Sequence, residues 1–587
     1  MVPRFLKYFM SKTPNYDIAV QKVFNSLIPG EQVCTLTGEK WQMTEEEISW
    51  YKKFNVPPSK LAPETRRRFL FGFPVGLAAW YKLHAETGQK ILSCVHQDSI
   101  FKILPDKEWL DQDFSRTQPV FENDQSFFKQ FKTLTQTIPV AARRDDGSNI
   151  NTLGFHVLGC QDSYMMFCSG FMKRCFNSAF SFDSEESTEV LNSVGCFNSA
   201  YLSRVYNSNN CVFALESQSC DHCAFLFDCR NCRDCFGATN KRNKQYVFFN
   251  EQLSKEEYQK RISQIDLSSF DEFEARKNKF LALLKTAVWP ENFNTGGTDS
   301  TGEYLENCVR CHHEYNSMKS IDGFFSAISF EVNNSAFSVR ISWGSNTFYS
   351  CDTNNSNNIK FCFRVWSSRS MEYCMDCMNC ENCFGCFGLK RKSFHIFNVL
   401  YTEEEYWQKV DEIKCAMLER GEYGEFFPAA FSAVGFQFSM GEAFFGYSEN
   451  ELQKMNVPIL NPNSGAVVTS DETKISEEIF PDVLPDSSLD SKADEFVGRP
   501  VLDSKIGRKY SITKDELALY RRLHLPLPRQ HFLTRLSNLI RMSNFSISEP
   551  TRCYKCQKGI ITYKNATFSD RKVLCCSCYN QFLEENN

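Results

Sequence analysis

The sequence predicts a mainly β fold with helical caps, in which a duplicated parallel β-helix, or β-solenoid, is flanked by two small α+β modules. Three observations support this prediction. A central segment recurs along the chain, cysteines and aromatic residues repeat about every twelve residues, and the two ends of the chain resemble each other. At 587 residues the chain is too long for one hydrophobic core, so several domains are expected.

The central duplication is the strongest of these observations. Segment 229–262 recurs without gaps as 377–410, so each residue pairs with one 148 positions later. One apolar residue per turn is typical of a solenoid whose turns stack, and Asn, Ser and Gly suit its tight corners. We therefore expect solenoid copies at 150–287 and 298–448, with about twelve residues per turn or half-turn. The repeating cysteines are Cys211, Cys223 and Cys235 in the first copy and Cys351, Cys362, Cys374 and Cys386 in the second.

Each solenoid copy is predicted to end in a helical cap. Segments 254–257 and 402–405 have the capping-box pattern, in which a hydroxyl and a carboxylate three residues apart bond to free amides of the first helical turn. These signals predict helix over 254–287, with a break near 266–269, and over 402–420. Such helices would cover the unpaired strand edges at the end of a solenoid.

A second duplication joins the two ends of the chain. Segment 34–57 parallels 503–526 at a constant shift of 469 positions. This repeat predicts an N-terminal module, 1–140, and a related C-terminal module, 498–587. Between the solenoid and the second module, residues 469–497 are rich in Asp, Glu, Ser and Pro without apolar periodicity, which is typical of a linker.

The spacing of cysteines near the C-terminus is the one strong chemical signal. Cys553 and Cys556 form one CxxC pair, and eighteen residues later Cys575 and Cys578 form a second. Four thiolates at this spacing are typical of a zinc ribbon, in which each pair makes one tight knuckle around a tetrahedral ion. We expect one structural zinc, a spare thiol at Cys576, and a positive φ at Gly559 after the first pair. Free thiols or disulfides are the alternatives. The flanking modules are accordingly predicted to be zinc-ribbon-like.

Composition predicts the cellular compartment and the part of the chain that contacts a partner. The chain has 27 cysteines, no run of eighteen apolar residues and no signal-peptide pattern, so we expect reduced thiols in the cytoplasm and no membrane span. The net charge of −5 is uneven, because from Arg499 onward sixteen Lys and Arg face seven Asp and Glu. A nucleic-acid or protein partner is therefore expected at the basic C-terminal module.

Two further patterns have the spacing of cofactor sites, and in both the duplication favours buried cysteines instead. An iron–sulfur spacing is formed by Cys374, Cys377, Cys380, Cys383 and Cys386. The first copy has Leu226 and Ala238 where the first and last of these cysteines would be needed. Segment 308–312, Cys-Val-Arg-Cys-His, matches covalent haem attachment, but its Cys308 corresponds to Cys160, which no histidine follows.

Carboxylates and a basic triplet supply the remaining candidates. β-Solenoids also carry polysaccharide lyases and hydrolases, which need paired carboxylates. Glu372, Asp376 and Glu381 are the candidates, and because they do not stack at the twelve-residue period we interpret them as isolated surface carboxylates. The triplet 66–68, Arg-Arg-Arg, is interpreted as a solvated helix face rather than a phosphate site.

Several strings resemble an uncharacterised family found in reduced-genome candidate-phyla bacteria. They are Cys380-Glu-Asn-Cys383-Phe-Gly-Cys386 and its continuation to residue 390, the segments 401–406 and 421–428, and the terminal ribbon. The resemblance covers nearly the whole chain and implies two zinc-finger-like modules around a Cys/Asn-ladder centre. Members sometimes carry a CoA-transferase label, for which this sequence has no supporting residues.

The chain departs from that family's pattern in every finger but the last. The first CxxC pair is reduced to Cys34 and Thr37 in one module, and to Asp503 and Ile506 in the other. The second half of the same finger has become 62–66 and 531–534, and the N-terminal counterpart of the ribbon, near 85–94, keeps no ligand set. The resemblance therefore implies one zinc, in the C-terminal ribbon, and metal-free packing elsewhere.

Together these features predict a non-enzymatic scaffold in which a rigid solenoid holds two small modules apart. The basic C-terminal module is expected to contact nucleic acid or protein. The alternative is a carbohydrate-active β-helix enzyme, which requires a cleft lined by paired carboxylates.

Overall fold

The structure, a computed structural model, describes residues 11–117, 121–461 and 479–587. Its centre is a duplicated parallel β-solenoid, with helices at the ends of the copies and small α+β modules on either side, which confirms the predicted fold class. In these described ranges, no helix has both the length and the apolar character needed to cross a membrane.

The N-terminal module contains two units of hairpin and helix. The first has helix α1 (Pro14–Ser26), the hairpin of β1 (Gly30–Val33) and β2 (Lys40–Met43), and helices α2 (Glu45–Phe54) and α3 (Pro63–Leu70). The second has the hairpin of β3 (Trp80–Leu83) and β4 (Lys90–Ser93), strand β5 (Ile103–Leu104) and helix α4 (Asp106–Asp111). Helix α5 (Phe127–Thr137) and strand β6 (Val140–Ala141) lead into the solenoid.

The first solenoid copy forms one ten-stranded sheet, in which strands twelve residues apart pair in parallel. Cys211 pairs with Cys223 in this way, so one full turn contains twelve residues. As predicted, helices α6 (Lys255–Ile262) and α7 (Phe270–Leu284) follow, and strand β17 (Val288–Pro290) comes next. The strands are β7 (Leu153–Phe155), β8 (Tyr164–Phe167), β9 (Phe176–Ala179), β10 (Thr188–Leu191), β11 (Ala200–Ser203), β12 (Asn209–Leu215), β13 (Asp221–Phe227), β14 (Arg233–Thr239), β15 (Gln245–Phe248) and β16 (Glu251–Gln252).

The second copy has two strands in most turns, which build a seven-stranded sheet from the even-numbered strands β18 to β30 and a nine-stranded sheet from the others. Helix α8 (Glu403–Glu419) then covers its end, and Thr402 and Glu405 form the predicted capping box. The strands are β18 (Gly302–Glu306), β19 (Val309–His312), β20 (Glu314–Met318), β21 (Ile321–Phe324), β22 (Ala327–Phe330), β23 (Asn333–Ala336), β24 (Val339–Ser342), β25 (Ser345–Phe348), β26 (Cys351–Asn354), β27 (Asn357–Lys360), β28 (Phe363–Trp366), β29 (Arg369–Glu372), β30 (Met375–Met378), β31 (Glu381–Phe384), β32 (Ser393–Ile396) and β33 (Val399–Leu400).

Every third residue of a solenoid turn is a corner with left-handed backbone. In one turn Asp228, Asn231, Asp234 and Gly237 have φ of 47°, 54°, 49° and 69°. Asn, Asp and Gly adopt this conformation with least strain, whereas other residues cost roughly 1–2 kcal/mol each. Hydrogen bonds between stacked turns offset that cost, and the residue after each corner points into the coil. A turn is therefore four-sided, with four inward side chains.

After the second solenoid, short helices α9 (Met440–Phe445) and α10 (Glu449–Lys454) precede the C-terminal module. Of the predicted linker 469–497, residues 469–478 lie outside the described residues. From Ile479 onward this segment packs against the module, where Ile479, Leu484 and Ala493 are buried beside Val501. A few buried apolar residues therefore attach this part of the predicted linker to the C-terminal module, although they have no helical or strand periodicity in the sequence.

The C-terminal module repeats the order of the N-terminal one. Its first unit has the hairpin of β34 (Val501–Asp503) and β35 (Arg508–Tyr510) with helices α11 (Lys514–Arg522) and α12 (Phe532–Met542). Its second unit has the hairpin of β36 (Asn544–Arg552) and β37 (Gly559–Asn565), strand β38 (Lys572–Leu574) and helix α13 (Cys576–Asn586).

The two solenoid copies lie side by side and run in opposite directions. Arg144, which precedes the first solenoid turn, contacts Asp376 near the end of the second solenoid at 3.3 Å. The hydroxyl of Tyr304, in the first strand of the second solenoid, donates to Glu216 of the first at 2.8 Å.

Each module packs on the solenoid copy farther from it in sequence, as Trp50 does on Phe324. The C-terminal module packs likewise on the first copy, through Phe532 on Phe167. Each half of the chain therefore contributes its module to the solenoid of the other half.

Candidate metal centre

The structure brings together the four cysteines predicted as zinc ligands. Cys553 and Cys556 lie on the turn between β36 and β37, Cys575 is the N-cap residue of α13, and Cys578 lies in its first turn. All four Sγ atoms lie within 4.8 Å of one another, and those of Cys556 and Cys575 are 3.8 Å apart. Cys576 is exposed and outside this group, as expected of a spare thiol.

The donor set fits a tetrahedral metal ion. A Zn–S bond of about 2.3 Å implies tetrahedral S–S edges of about 3.8 Å, which the Cys556–Cys575 separation matches. The Sγ of Cys553 also accepts the amide N–H of Cys575 at 3.3 Å, so the backbone favours a thiolate there. Desolvation opposes ionisation of Cys553, but hydrogen bonds from backbone amides lower its pKa to about 6. The four residues are therefore compatible with a metal site.

Four converging thiols need a cation before all of them ionise. Hydrogen bonding to the thiol of Cys575, together with desolvation, raises the pKa of Cys578 to about 12. Adjacent thiolates also repel each other. A dication removes this repulsion. The positive φ of the knuckle falls on Gln557, at 62°, so the prediction that Gly559 supplies it is wrong.

The ribbon is fixed to the end of the first solenoid. Strand β38 pairs in parallel with β17, so that Trp289 lies opposite Val573. On α13, the hydroxyl of Tyr579 hydrogen-bonds to the buried Asp228, which also pairs with Arg242 at 2.9 Å. The ligand-bearing helix is thereby held by side chains of the solenoid.

The N-terminal counterpart of the ribbon replaces ligands with a hydrogen bond. His84 stands 469 positions before Cys553, and its Nε2 contacts Glu108 at 2.9 Å. Its Nδ1 accepts the amide N–H groups of Glu86 and Thr87, as a knuckle sulfur accepts amides. Sequence reasoning missed this pair. The signal was that His84 occupies the position of Cys553 when the two ends of the chain are aligned at the shift of 469 residues.

The first finger of the C-terminal module is closed in a similar way. Asp503 accepts the N–H of His531 and the hydroxyl of Thr534, both at 2.9 Å, so the degenerate positions still meet at the start of α12. In the N-terminal finger Cys34 is buried. Hydrogen bonds therefore hold the C-terminal finger together at positions where the resemblance implies family ligands.

The inward cysteines of the solenoids hydrogen-bond to neighbouring turns. The Sγ of Cys232 donates to the carbonyl of Lys241 in the next turn at 3.5 Å. Burial raises the pKa of Cys175 and of Cys196 to about 12, which favours the neutral thiol. Of the described side chains, only those of the ribbon bring three or more Cys, His, Asp or Glu ligand atoms within 4.8 Å of one another.

The cysteines of the two cofactor-like spacings are also buried side chains that point into the solenoid. All five cysteines of the iron–sulfur spacing are buried, and four of them, from Cys377 to Cys386, are the inward residues of a single turn. In the haem-like segment Cys308 and Cys311 also point inward. His312 points away from them and contacts Glu46 at 2.6 Å.

The interpretation of the three candidate carboxylates as isolated surface groups is wrong for two of them. Asp376 is 1% exposed and pairs with Arg364 at 3.0 Å and with Arg144. Glu372 pairs with Lys414 at 3.4 Å, and despite desolvation by burial the lysine lowers the pKa of Glu372 to about 2. Glu381 lies on the outer face beside Arg369. Each carboxylate has its own cation, so they do not form an acid/base pair.

The interpretation of residues 66–68 as a solvated helix face is wrong for the first two arginines. Arg66 is fully buried, pairs with Glu47 at 2.7 Å and lies 3.6 Å from the ring centroid of Phe337. Arg67 is 2% exposed and donates to carbonyls of the second solenoid and the C-terminal module. The first two arginines are therefore part of the packed interior.

Neither a scan against protein-family models nor a search of curated proteins found a match for this sequence.

Proposed function

We propose that this protein is a non-enzymatic scaffold whose C-terminal ribbon holds one zinc ion and binds single-stranded nucleic acid. The four-thiolate set favours zinc among common metals, because thiolates suit it and all four positions of a tetrahedron are filled by protein. Such a closed site has a structural role. Zinc would fix the knuckle that presents the binding surface.

The exposed knuckle is the observation that carries this proposal. Tyr554, between the ligands Cys553 and Cys556, is 61% exposed, although large aromatic side chains are usually buried. Arg552, Lys555 and Lys558 are exposed around it. An exposed ring with neighbouring cations is suited to stacking a base while neutralising phosphates.

The N-terminal ribbon provides an internal contrast. At the positions of Tyr554 and Lys555 it has Ala85 and Glu86, so the related knuckle lacks both the ring and the positive charge. The aromatic and basic character therefore does not come from the shared fold. Because α13 is attached to the solenoid through Tyr579, the knuckle is presented on a rigid support.

Binding to a fluorescent single-stranded oligonucleotide tests this proposal in the full-length protein. We expect affinity that falls with salt, with a logarithmic slope of about −0.7 for each phosphate contact. Tyr554→Ala should weaken binding by about 1–3 kcal/mol, the value of one base stacked on an aromatic ring. Lys555→Glu combined with Lys558→Glu should also flatten the salt dependence. Fluorescence anisotropy at several salt concentrations measures both effects.

Two matched variants on the N-terminal ribbon serve as controls. Tyr81→Ala removes a ring that is 41% exposed on β3, and Lys90→Glu reverses an exposed charge on β4. Neither should change binding. No binding by the wild type at low salt, or equal effects of Tyr81→Ala and Tyr554→Ala, would refute the proposal.

A further inference from the structure

A groove separates the first turns of the first solenoid from the C-terminal module. Its volume is 920 Å³, within the range of roughly 300–1,000 Å³ typical of small-molecule sites. Leu153, Tyr164 and Phe176, on β7, β8 and β9, lie on its solenoid side, and Leu519 of α11 lies opposite. The groove therefore lies between two separately folded elements, and its lining mixes a few apolar side chains with a larger number of polar and charged ones.

The equivalent junction on the other half of the molecule is filled. There Trp50 of α2 stacks on Phe324 with a centroid distance of 6.2 Å, and His312 contacts Glu46 at 2.6 Å. In the two repeats, Leu519 takes the position of Trp50 and Phe176 that of Phe324. The same fold thus places an indole ring at one junction and the smaller leucine side chain at the other, where the groove lies.

The arginines around the groove are already paired with carboxylates. Arg522 contacts Glu186 at 2.8 Å, and Arg174 pairs with the same carboxylate at 2.7 Å. Arg143 contacts Asp145 at 3.3 Å. Two more lining carboxylates, Asp162 and Asp515, add negative charge. An anionic ligand would meet no excess of cations here, and an entirely apolar ligand would leave these polar groups without hydrogen bonds.

We propose that this groove binds a neutral saccharide. Sugar hydroxyls both donate and accept hydrogen bonds, which suits a rim that mixes guanidinium, carboxylate and amide groups. The C–H face of a sugar ring packs on apolar and aromatic side chains, which the groove supplies in the half-buried Leu153 and Tyr164. The site is separate from the ribbon and does not depend on nucleic-acid binding. It is a binding site, and the carboxylates around it have no catalytic role in this proposal.

A glycan array probed with labelled full-length protein tests this site. The wild type should bind neutral glycans, and Leu519→Trp, which copies the closed junction, should weaken that binding at least tenfold. Leu400→Trp adds an indole at a residue that is 65% exposed near the end of the second solenoid, and it should leave binding unchanged. Thermal melting of each variant checks that the chain remains folded.

A rim variant keeps the test decisive if Leu519→Trp fails to fold. Asp515→Ala combined with Arg522→Ala removes two polar groups, both on exposed residues of the rim, and should also weaken glycan binding at least tenfold. Three results would overturn the proposal: no neutral glycan bound by the wild type, undiminished binding by the groove variants, or a preference for acidic glycans over neutral ones.

Discussion

Replacing Cys553 with serine should remove the metal ion and unfold the ribbon, while Cys576→Ser should do neither. The first thiol belongs to the converging set, whereas the second is exposed outside it. Structural zinc contributes apparent binding free energies of about 10–16 kcal/mol in small zinc-finger domains. We expect Cys553→Ser to lose most of that contribution.

Three measurements check this prediction. Elemental analysis should give one zinc per chain for the wild type and for Cys576→Ser, and none for Cys553→Ser. Protein reconstituted with cobalt should have the visible absorption of tetrahedral thiolate coordination. Hydrogen exchange should increase in 544–587 of Cys553→Ser and remain low in the solenoid. Full metal content in Cys553→Ser, or iron in place of zinc, would contradict the assignment.

The second large effect is expected at the interface between the solenoids. Asp376→Asn keeps the shape of the side chain but removes the carboxylate that contacts both Arg144 and Arg364, which are 1% and 0% exposed. Breaking a buried ion pair costs about 3–5 kcal/mol, because the remaining charge stays desolvated. Urea unfolding followed by circular dichroism should therefore show a marked loss of stability.

Glu381→Gln is the matched control for this prediction. Glu381 is only five residues away, but in its pair with Arg369 the side chains are 64% and 42% exposed. Exposed pairs contribute about 0–1 kcal/mol, so little change is expected. Replacing Asp376, Arg144 and Arg364 together with apolar residues should be milder than Asp376→Asn, because no buried charge then loses its partner. Equal effects of Asp376→Asn and Glu381→Gln would show that the buried network does not stabilise the interface.

The fold was largely predictable because the repeats can be recognised in the amino-acid sequence alone. The shift of 148 and the period of twelve predicted the solenoid, and the CxxC spacing predicted the four converging thiols. Both depend on local geometry, since a turn of fixed length places equivalent residues in register.

The environment of the charged residues was not predictable, because their partners come from the other half of the chain. Asp376 and Arg66 have the pattern of surface residues in sequence, yet their partners include Arg144 and Phe337, which are distant in the chain. No local pattern indicates that the solenoids run in opposite directions. His84 and Glu108 were missed for a related reason, since a hydrogen bond between histidine and glutamate requires no fixed spacing of the two residues in the sequence.

The exchange of modules between the two solenoids has a consequence for how the chain assembles. The N-terminal module covers the second copy and the C-terminal module covers the first, so each half buries part of its aromatic surface only against the other half. A half-synthesised chain on the ribosome exposes these surfaces until the last residues emerge. At high concentration, one half of a chain can instead pair with the complementary half of another. Domain-swapped dimers are therefore the expected by-product of refolding, and faster dilution should suppress them.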